Sequence, residues 1–283
     1  MNVPPRISII TVVYNRRSTL PLTLASVFGQ TYPHVEYIII DGASTDGTVE
    51  YLEQYRSQLS YFASAPDAGL YDAMNKGLDQ ATGDFCLFLN AGDAFYAPES
   101  LAELVAEITE PDVYYYGTAV MTDGKHIFRL NPMARPVGPL CPARGLPNHQ
   151  ASLFPRAFYQ NNRYDLSFRI AADDDYKIRA LRAYPNQHIP SLTVIFELGG
   201  LSRDLSRFRS VRQRWQDAWA LQRKHFPGNY ARAWRTVKFV LKSFGLFALQ
   251  KVTGFHWKYE WYFNKFQRIP EGEEGKYRSY FAG

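Results

Sequence analysis

The chain has 283 residues, of which 46% are hydrophobic and 16% aromatic, a composition that can bury a sizeable core and excludes a disordered protein. Its net charge of +5 is unevenly spread, because residues 203–283 hold 17 Lys and Arg against 6 Asp and Glu, whereas the preceding part is acidic. The two cysteines exclude a disulfide framework and match no zinc motif, so a reducing compartment is expected.

The N-terminus and the apolar runs argue against secretion and membrane insertion. The first apolar run is interrupted by Ser8 and lacks a small-residue cleavage site. No apolar run reaches the roughly 18 residues that a spanning helix needs. The sequence therefore predicts a cytoplasmic protein with neither a signal peptide nor a transmembrane helix.

Strand and helix patterns alternate over the N-terminal part of the chain. Short apolar runs rich in β-branched or aromatic residues predict strands at 7–13, 35–40, 59–64 and 84–90. Apolar residues at helical spacing predict helices after a cap at Ser18 or Thr19, over 48–59 and over 70–81. This alternation across short polar connections is typical of an α/β fold with a mostly parallel central sheet flanked by helices.

Polar segments follow three of these strands, with the sequences "YNRR", "DGASTDGT" and "NAGD". Ligands of open α/β sheets bind at the carboxyl ends of the strands, so these segments predict a binding site. Asp41, which ends the second apolar run, can accept hydrogen bonds from a base or ribose; alternatively, it only closes the turn. Asp46 or Ser44 can cap the helix that follows.

Three kinds of nucleotide-binding protein lack support in the sequence. No G-x-G-x-x-G follows the first strand, which argues against a dinucleotide-binding domain, and no Walker A lysine motif occurs. The Gly-rich loop with Arg and Lys that a sugar-phosphate nucleotidyltransferase carries after its first strand is also missing.

Four stretches carry a family resemblance: "ISIITVVYNRRSTLPLTLASVFGQTYPHVEYIIIDGASTDGT", "PDAGLYDAMNKGLDQATGDFCLFLNAGD", "NHQASLF" and "RYDLSFRIAADDDYKIRAL". Within residues 7–182 they resemble an inverting family-2 nucleotide-sugar glycosyltransferase of the GT-A fold, of the bacterial surface-polysaccharide type. The resemblance implies a Rossmann-like catalytic domain over 1–204, with a nucleotide-binding half at about 1–95 and an acceptor-binding half at about 96–204.

In this family the ends of the first two strands hold the nucleotide base. The residues implied to bind nucleotide here are Thr11, Tyr14, Asn15, Asp41, Asn75, Lys76 and Asn90. Asn75 and Lys76 lie opposite the apolar face of their predicted helix, so they can point toward a ligand. A solvated polar helix face is the alternative for Lys76.

The segment "FLNAGD" stands where the family carries a D-x-D-type metal motif. A divalent ion there offsets the charge that develops on the leaving nucleoside diphosphate, and Mn²⁺ or Mg²⁺ suits carboxylate and phosphate ligands. Asn90 and Gly92 replace the usual aspartates, so only Asp93 can supply a charged ligand, and weak metal binding without nucleotide is expected. Alternatively, Asp93 caps the helix predicted after it.

An inverting transfer needs a general base within reach of the acceptor hydroxyl, and the matching family position is Asp173. Asp174 and Asp175 are assigned to acceptor binding or to orienting neighbours, because consecutive helical side chains splay about 100° apart. Clustering is expected to raise the pKa of these carboxyl groups. The alternative is an acidic first turn that complements the helix dipole.

Further residues are implied near the acceptor and the diphosphate. His149 and Gln150 lie where the family lines the acceptor side, although a lone histidine is often structural. In the glycine segment "FELGGLSR", Glu197 or Ser202 is a candidate to complete the metal or phosphate shell. The stretch 130–147, rich in proline and glycine, predicts either a mobile loop beside the cleft or a linker.

Residues 205–283 form a predicted C-terminal helical region that is basic and rich in Trp, Phe and Leu. This composition suits an anionic membrane interface, so a location on the inner face of the cytoplasmic membrane is expected, with a polyprenyl-diphosphate-linked saccharide as acceptor. Alternatively, these helices pack on the catalytic domain or on a second subunit, which leaves the oligomeric state open.

The sequence thus predicts an inverting, metal-dependent glycosyltransferase that moves a sugar from a nucleotide-diphosphate donor to an acceptor hydroxyl in exopolysaccharide, capsule or O-antigen synthesis. The alternative is a non-catalytic protein that binds membrane or nucleic acid through its basic tail. No RNA- or DNA-binding module is recognisable, and the acidic body would repel a phosphate backbone, so nucleic acid is not an expected partner.

Overall fold

The computed structural model describes residues 3–122, 127–130, 146–197, 208–227 and 267–268. Four parallel strands form the first half of its central sheet: β1 (Ile7–Val13), β2 (Val35–Asp41), β3 (Tyr61–Ser64) and β4 (Phe85–Phe88). They lie side by side in the order β3, β2, β1, β4. The parallel α/β arrangement predicted for this half is confirmed.

Three helices connect these strands: α1 (Leu20–Phe28), α2 (Thr48–Glu53) and α3 (Leu70–Gln80). α2 is shorter than predicted, because the amides of Gln54 and Tyr55 bond to carbonyls three residues back instead of four. This tighter pattern ends the α-helix, and the chain continues as a 3₁₀ turn over Arg56–Gln58.

The second half of the sheet extends it beyond β4. Its strands are β5 (Ala94–Phe95), β6 (Tyr114–Thr122), β7 (Ile127–Leu130), β8 (Ser152–Pro155), β9 (Asn186–Glu197) and β10 (Gln267–Arg268). β8 runs antiparallel to β4, β6 antiparallel to β8, and β9 parallel to β6. Because hydrogen bonding continues from β4 into β8, the two halves share one sheet.

Apolar side chains cover both faces of the sheet. In β1, Ile7 and Ile9 belong to one apolar cluster, whereas Ile10 and Val12 belong to the other, as the alternation of a strand requires. The second cluster is rich in aromatic rings, among them Phe88, Tyr114, Phe154, Phe158, Tyr164 and Tyr176. Ala172 and Tyr176, which flank three consecutive aspartates in the sequence, also belong to this second cluster.

Four further helices follow: α4 (Ser100–Ala106), α5 (Arg156–Tyr159), α6 (Ala172–Ala183) and α7 (Phe208–His225). α7 belongs to the predicted C-terminal region, and it packs on the preceding part of the chain, as one alternative had it. Leu221 is 3% exposed and joins the second apolar cluster. Lys224 and His225 each place a nitrogen 2.8 Å from Asp175 on α6.

Beyond α7, only residues 226–227 and 267–268 of the C-terminal region are described, and the predicted boundary between 204 and 205 also lies outside the described residues. Among the helices that the structure describes, none combines the length and apolarity needed to cross a bilayer.

Candidate active site

The loops that follow β1, β2 and β4 meet at one edge of the sheet, because these strands are parallel neighbours. The first two loops are joined by Asn15. The backbone amide of Asn15 donates to Oγ of Ser44 at 2.8 Å, and the side-chain Oδ1 of Asn15 accepts from the backbone amide of Thr45 at 2.8 Å. Asn15 has a left-handed backbone (φ 49°), which asparagine tolerates better than most residues. Its side chain thus holds the loops together, which is a different role from the nucleotide contact predicted.

Asp41 is fully buried, and its carboxylate accepts hydrogen bonds from within the protein. Ser44 donates to it from its amide at 2.9 Å and its hydroxyl at 2.5 Å, and the hydroxyl of Ser64 donates at 2.6 Å. Asp41 therefore closes its own turn, as one alternative had it, and its contact with a nucleotide stays a prediction. Asp46 accepts from the amide of Thr48 at 3.1 Å, at the start of α2.

Tyr14, Gly42 and Asp67 lie together beside this turn. The Tyr14 side chain is 62% exposed. A Cβ added at Gly42 would stand 2.6 Å from Oδ2 of Asp67 and 3.3 Å from the Tyr14 ring. A ring on which a base can stack and a carboxylate that can accept from a ribose hydroxyl thus flank bare backbone. Asp67 was not among the predicted site residues, although "PDAG" places it just before the third helix.

Thr11 and Lys76 take supporting positions. Thr11 is fully buried in β1, where its hydroxyl donates to the Leu89 carbonyl at 2.7 Å, so its side chain does not reach the cleft. The Lys76 ammonium donates to the Pro66 carbonyl at 3.0 Å and lies 3.1 Å from Asp72. Lys76 therefore braces the loop between β3 and α3.

Asn75 and His149 hold the two halves of the domain together. Nδ2 of Asn75 donates to the backbone carbonyl of Tyr164 at 3.1 Å, and Oδ1 of Asn75 accepts from the backbone amide of Tyr164 at 2.8 Å. The Asn75 side chain therefore does not project toward a ligand as predicted. His149 is 5% exposed, stacks on Phe88, and has Nε2 2.5 Å from the Tyr164 hydroxyl. Burial lowers the pKa of His149 and the charge of Asp173 raises it; the effect of burial is the larger, so the pKa is about 4. A neutral structural histidine, one of the predicted alternatives, is the result.

The turn after β4 carries Asp93. Gly92 within it has a φ of 103°, a conformation that favours glycine. Nε2 of Gln150 donates to Oδ2 of Asp93 at 2.9 Å, so a predicted acceptor-side residue meets the predicted metal ligand. α4 begins only at Ser100, so Asp93 does not cap that helix. Oδ1 of Asn90 is buried without a hydrogen-bond partner in the described part of the chain.

The oxygens of Asp93 and Asn90 are of a kind that divalent ions accept as ligands. A carboxylate at Asp93 and an unpaired amide oxygen at Asn90 are the oxygen ligands that Mg²⁺ and Mn²⁺ prefer. Within the described residues, no group of three or more His, Cys, Asp or Glu is arranged to hold a metal. The described residues therefore offer a partial ligand set, and weak metal binding without nucleotide stays a prediction.

Asp173 lies in the first turn of α6, with 29% of its side chain exposed. Its Oδ2 accepts from the buried Lys177 ammonium at 3.2 Å, and its Oδ1 lies 3.2 Å from the Tyr71 hydroxyl. Burial acts to raise the pKa of Asp173, but the Lys177 charge and these hydrogen bonds hold it below its usual range. The expected rise in pKa is therefore wrong for Asp173, whose carboxylate is ionised at neutral pH.

The two following carboxylates have different surroundings. Oδ1 of Asp174 lies 2.9 Å from the Lys177 ammonium, and burial together with the charge of Asp173 raises the pKa of Asp174. Asp175 faces α7 and is fully buried, so it cannot bind an acceptor as predicted. Although burial acts to raise it, the partners of Asp175 lower its pKa to about 2.

The remaining predicted candidates fall largely outside the described residues. Glu197 ends β9, with its side chain not described, and Ser202 lies outside, as does most of the stretch 130–147.

Comparison with known proteins identifies the family. The model of the family described as "Glycosyl transferase family 2" matches residues 8–173, more than half of the chain. The chain belongs to glycosyl transferase family 2. A "PGL/p-HBAD biosynthesis glycosyltransferase" of Mycobacterium bovis is 33% identical to this family-2 chain over 221 residues, covering 71% of it and 80% of the relative.

Two solved structures of glycosyltransferases share the fold of this family-2 chain. Residues 1–349 of S. aureus TarS in complex with UDP have a TM-score of 0.57 at 19% identity, covering 75% of this chain and 65% of that solved chain, which is less than two thirds of its length. A mannosyltransferase of Pyrobaculum calidifontis in complex with GDP-Man and Mn²⁺ has a TM-score of 0.55 at 19% identity, covering 85% of this chain and 69% of the other. The GT-A fold is therefore confirmed.

The position of Asn75 predicts a stability effect without a binding effect. Asn75→Ala removes both hydrogen bonds to the Tyr164 backbone and should lower the free energy of unfolding by about 1–3 kcal/mol in urea titrations. Asn161→Ala, which removes one exposed hydrogen bond to Ala157, is the matched control and should change it by no more than about 0.5 kcal/mol. Unchanged stability with lost nucleotide affinity would instead restore the ligand role of Asn75.

Proposed function

We propose that this family-2 glycosyltransferase moves a sugar, with inversion, from a nucleoside-diphosphate donor to a hydroxyl of a saccharide acceptor in bacterial glycan synthesis. The observation that carries the proposal is the setting of Asp173. It is a partly exposed carboxylate, kept ionised by a buried lysine, on the half of the domain that adjoins the nucleotide-side turns. An ionised carboxylate so placed can serve as the general base of a displacement.

The reaction is a single displacement at the anomeric carbon. The acceptor hydroxyl attacks that carbon from the side opposite the leaving group, and its proton passes to Asp173. The bond from the anomeric carbon to the diphosphate oxygen breaks with both electrons, and the nucleoside diphosphate leaves. Mn²⁺ or Mg²⁺, held by Asp93 and assisted by Asn90, would offset negative charge on the diphosphate.

The donor side is supported by the polar cluster beside the β2 turn. Tyr14 can stack on a base, and Asp67 can accept from a ribose hydroxyl across the backbone of Gly42. Asn15 and Asp41 keep that backbone rigid, so little conformational entropy is lost when a nucleotide binds. The nucleotides bound in the structural neighbours, UDP and GDP-Man, support a nucleoside-diphosphate sugar as donor.

The acceptor and the location of the protein are proposed from α7. Its outward face carries Trp215 and Trp219, exposed by 42% and 38%, flanked by exposed Arg212 and Arg223. Tryptophan and arginine on one helix face suit the interface of a membrane that contains anionic lipids. An enzyme held there would reach a lipid-linked saccharide, and the relative from M. bovis, whose name refers to PGL biosynthesis, is consistent with such an acceptor.

Donor binding provides the first test. Calorimetric titration with UDP, GDP, CDP and dTDP, with and without Mn²⁺, should show one preferred nucleotide whose affinity rises with the ion. In the presence of Mn²⁺, Asp93→Ala should lower the affinity for that nucleotide at least about tenfold, because a metal ligand is lost. Without Mn²⁺ the substitution should change the affinity little.

The matched control is Asp79→Ala, which removes an exposed carboxylate paired only with Arg163 among the described residues. It should bind like the wild type. Absence of binding by any of the four nucleotides would contradict the proposed function.

The outward face of α7 is tested with vesicles. The double variant Trp215→Ser/Trp219→Ser should co-sediment with phosphatidylglycerol vesicles on the order of tenfold more weakly than the wild type, because two aromatic side chains leave the interface. Tyr61→Ser, which removes an aromatic side chain 37% exposed on the edge strand β3, is the control and should not weaken binding. Equal sedimentation of all three proteins would contradict this role of α7.

A further inference from the structure

The inward face of α7 places a buried carboxylate at the start of α6. Asp217 is 3% exposed. Its Oδ2 accepts hydrogen bonds from the amides of Ile170, at 2.6 Å, and Ala171, at 3.1 Å. Its Oδ1 accepts from Nε2 of Gln213 at 2.9 Å, one turn earlier on α7. Both carboxylate oxygens are therefore held, one by the backbone ahead of α6 and the other by α7 itself.

α6 has no cap of its own. Its N-cap residue, Ala171, has no side chain that can accept from the first amides of the helix, and the structure shows no side-chain cap there. A carboxylate near a helix N-terminus is favoured by the helix dipole and by charge-assisted hydrogen bonds. Asp217 supplies such a group from another helix, 46 residues further along the chain from Ala171.

The same short segment is held from the opposite side by α3. The Tyr71 hydroxyl donates to the carbonyl of Ile170 at 2.7 Å and lies 3.2 Å from Oδ1 of Asp173. The amide of Ile170 is bound by α7 and its carbonyl by α3. Three residues later stands Asp173, whose position depends on where this segment begins the helix.

α7 is fastened to α6 at a second point, near its own C-terminal end. Asp175 accepts from Lys224 and His225 of α7 and from Arg179 of α6, at 2.8 to 2.9 Å. Two attachments along its length fix both the position and the direction of α7 against α6. They leave α7 little freedom to shift without moving the first turn of α6.

We propose that Asp217 is a positioning residue for the general base, so that α7 belongs to the catalytic unit although it lies beyond the family-2 match. This inference rests on the proposed function, because it takes Asp173 as the base. Asp217 itself contacts the backbone of 170–171 and not the reacting atoms. Its loss should let the first turn of α6 move, and displacement of a catalytic group by about 1 Å can cost on the order of 100-fold in rate.

The test compares turnover with nucleotide affinity in the full-length protein. Release of UDP or GDP from UDP-GlcNAc or GDP-mannose in Mn²⁺, by transfer to water, needs no known acceptor. Asp217→Ala should lower kcat on the order of 10- to 100-fold while KM for the donor and Kd for the nucleotide stay within about twofold. Those constants should hold because Asp217 bonds to the backbone of 170–171 and to Gln213, and not to the loops that follow β1 and β2.

Two milder variants keep the test decisive if Asp217→Ala does not fold. Asp217→Asn retains an oxygen that accepts from the amides and should recover part of the lost kcat. Gln213→Ala frees one carboxylate oxygen and should lower kcat by a few-fold only. Hydrogen exchange of the backbone amides of Ile170 and Ala171 should accelerate most in the variant that loses most kcat and least in the variant that loses least. The Asp79→Ala control should match the wild type in both kcat and hydrogen exchange.

The outcomes separate the inference from the proposed function. Turnover by the wild type with undiminished kcat in the Asp217 variants would overturn the positioning role alone. A fall in nucleotide affinity as large as the fall in kcat would also overturn it, because the effect would then be general. A wild type that binds none of the four nucleotides and turns over neither of these sugar donors would overturn the proposed function, and the inference with it.

Discussion

The ion pair between Lys177 and the two carboxylates of Asp173 and Asp174 is the interaction on which the acceptor side depends. The lysine side chain is only 6% exposed, and a buried ammonium without partners would be strongly unfavourable. Helical spacing places both aspartates one turn before it. Burial acts to lower the pKa of Lys177, but the charges of the two carboxylates raise it above its ordinary value. The lysine therefore stays charged as long as these carboxylates stay ionised beside it.

This pairing also determines where the neighbouring side chains go. With the preceding two carboxylates held by Lys177, Asp175 faces the opposite side of α6 and becomes the attachment point of α7. The aromatic cluster around Tyr71 and Tyr164 excludes water from beneath these groups, which strengthens their electrostatic interactions. On the donor side, by contrast, rigidity comes from backbone turns closed by Asn15 and Asp41.

Local pattern predicted the framework well. The four parallel strands and the helices between them follow from the spacing of apolar residues, which records which face each element buries. The same pattern predicts where along an element a polar residue lies, but not which residue its side chain contacts. Asn75 pairs with a residue 89 positions away and Asp175 with His225, 50 positions away, so neither role could be read from local sequence. Asp67 was missed because its significance lies in its closeness to Gly42.

The roles proposed for Asp93 and Asp173 come from the family resemblance and not from local pattern, because a family motif implies a tertiary position, and they stay predictions. The meeting of Asp93 and Gln150 across 57 positions fits that reasoning. The resemblance is less informative at Asp41. There the family implies a contact with the ligand, but the carboxylate accepts its hydrogen bonds from its own turn and from Ser64.

The most direct measurement compares Asp173→Asn with Asp174→Asn, since both carboxylates share the same lysine. Single-turnover release of nucleoside diphosphate from the donor should fall on the order of 10²- to 10⁴-fold in Asp173→Asn, the usual contribution of a general base, with nucleotide affinity retained. Asp174→Asn should lose far less. Equal losses in both variants, or full activity in Asp173→Asn, would contradict the assignment of Asp173 as the base.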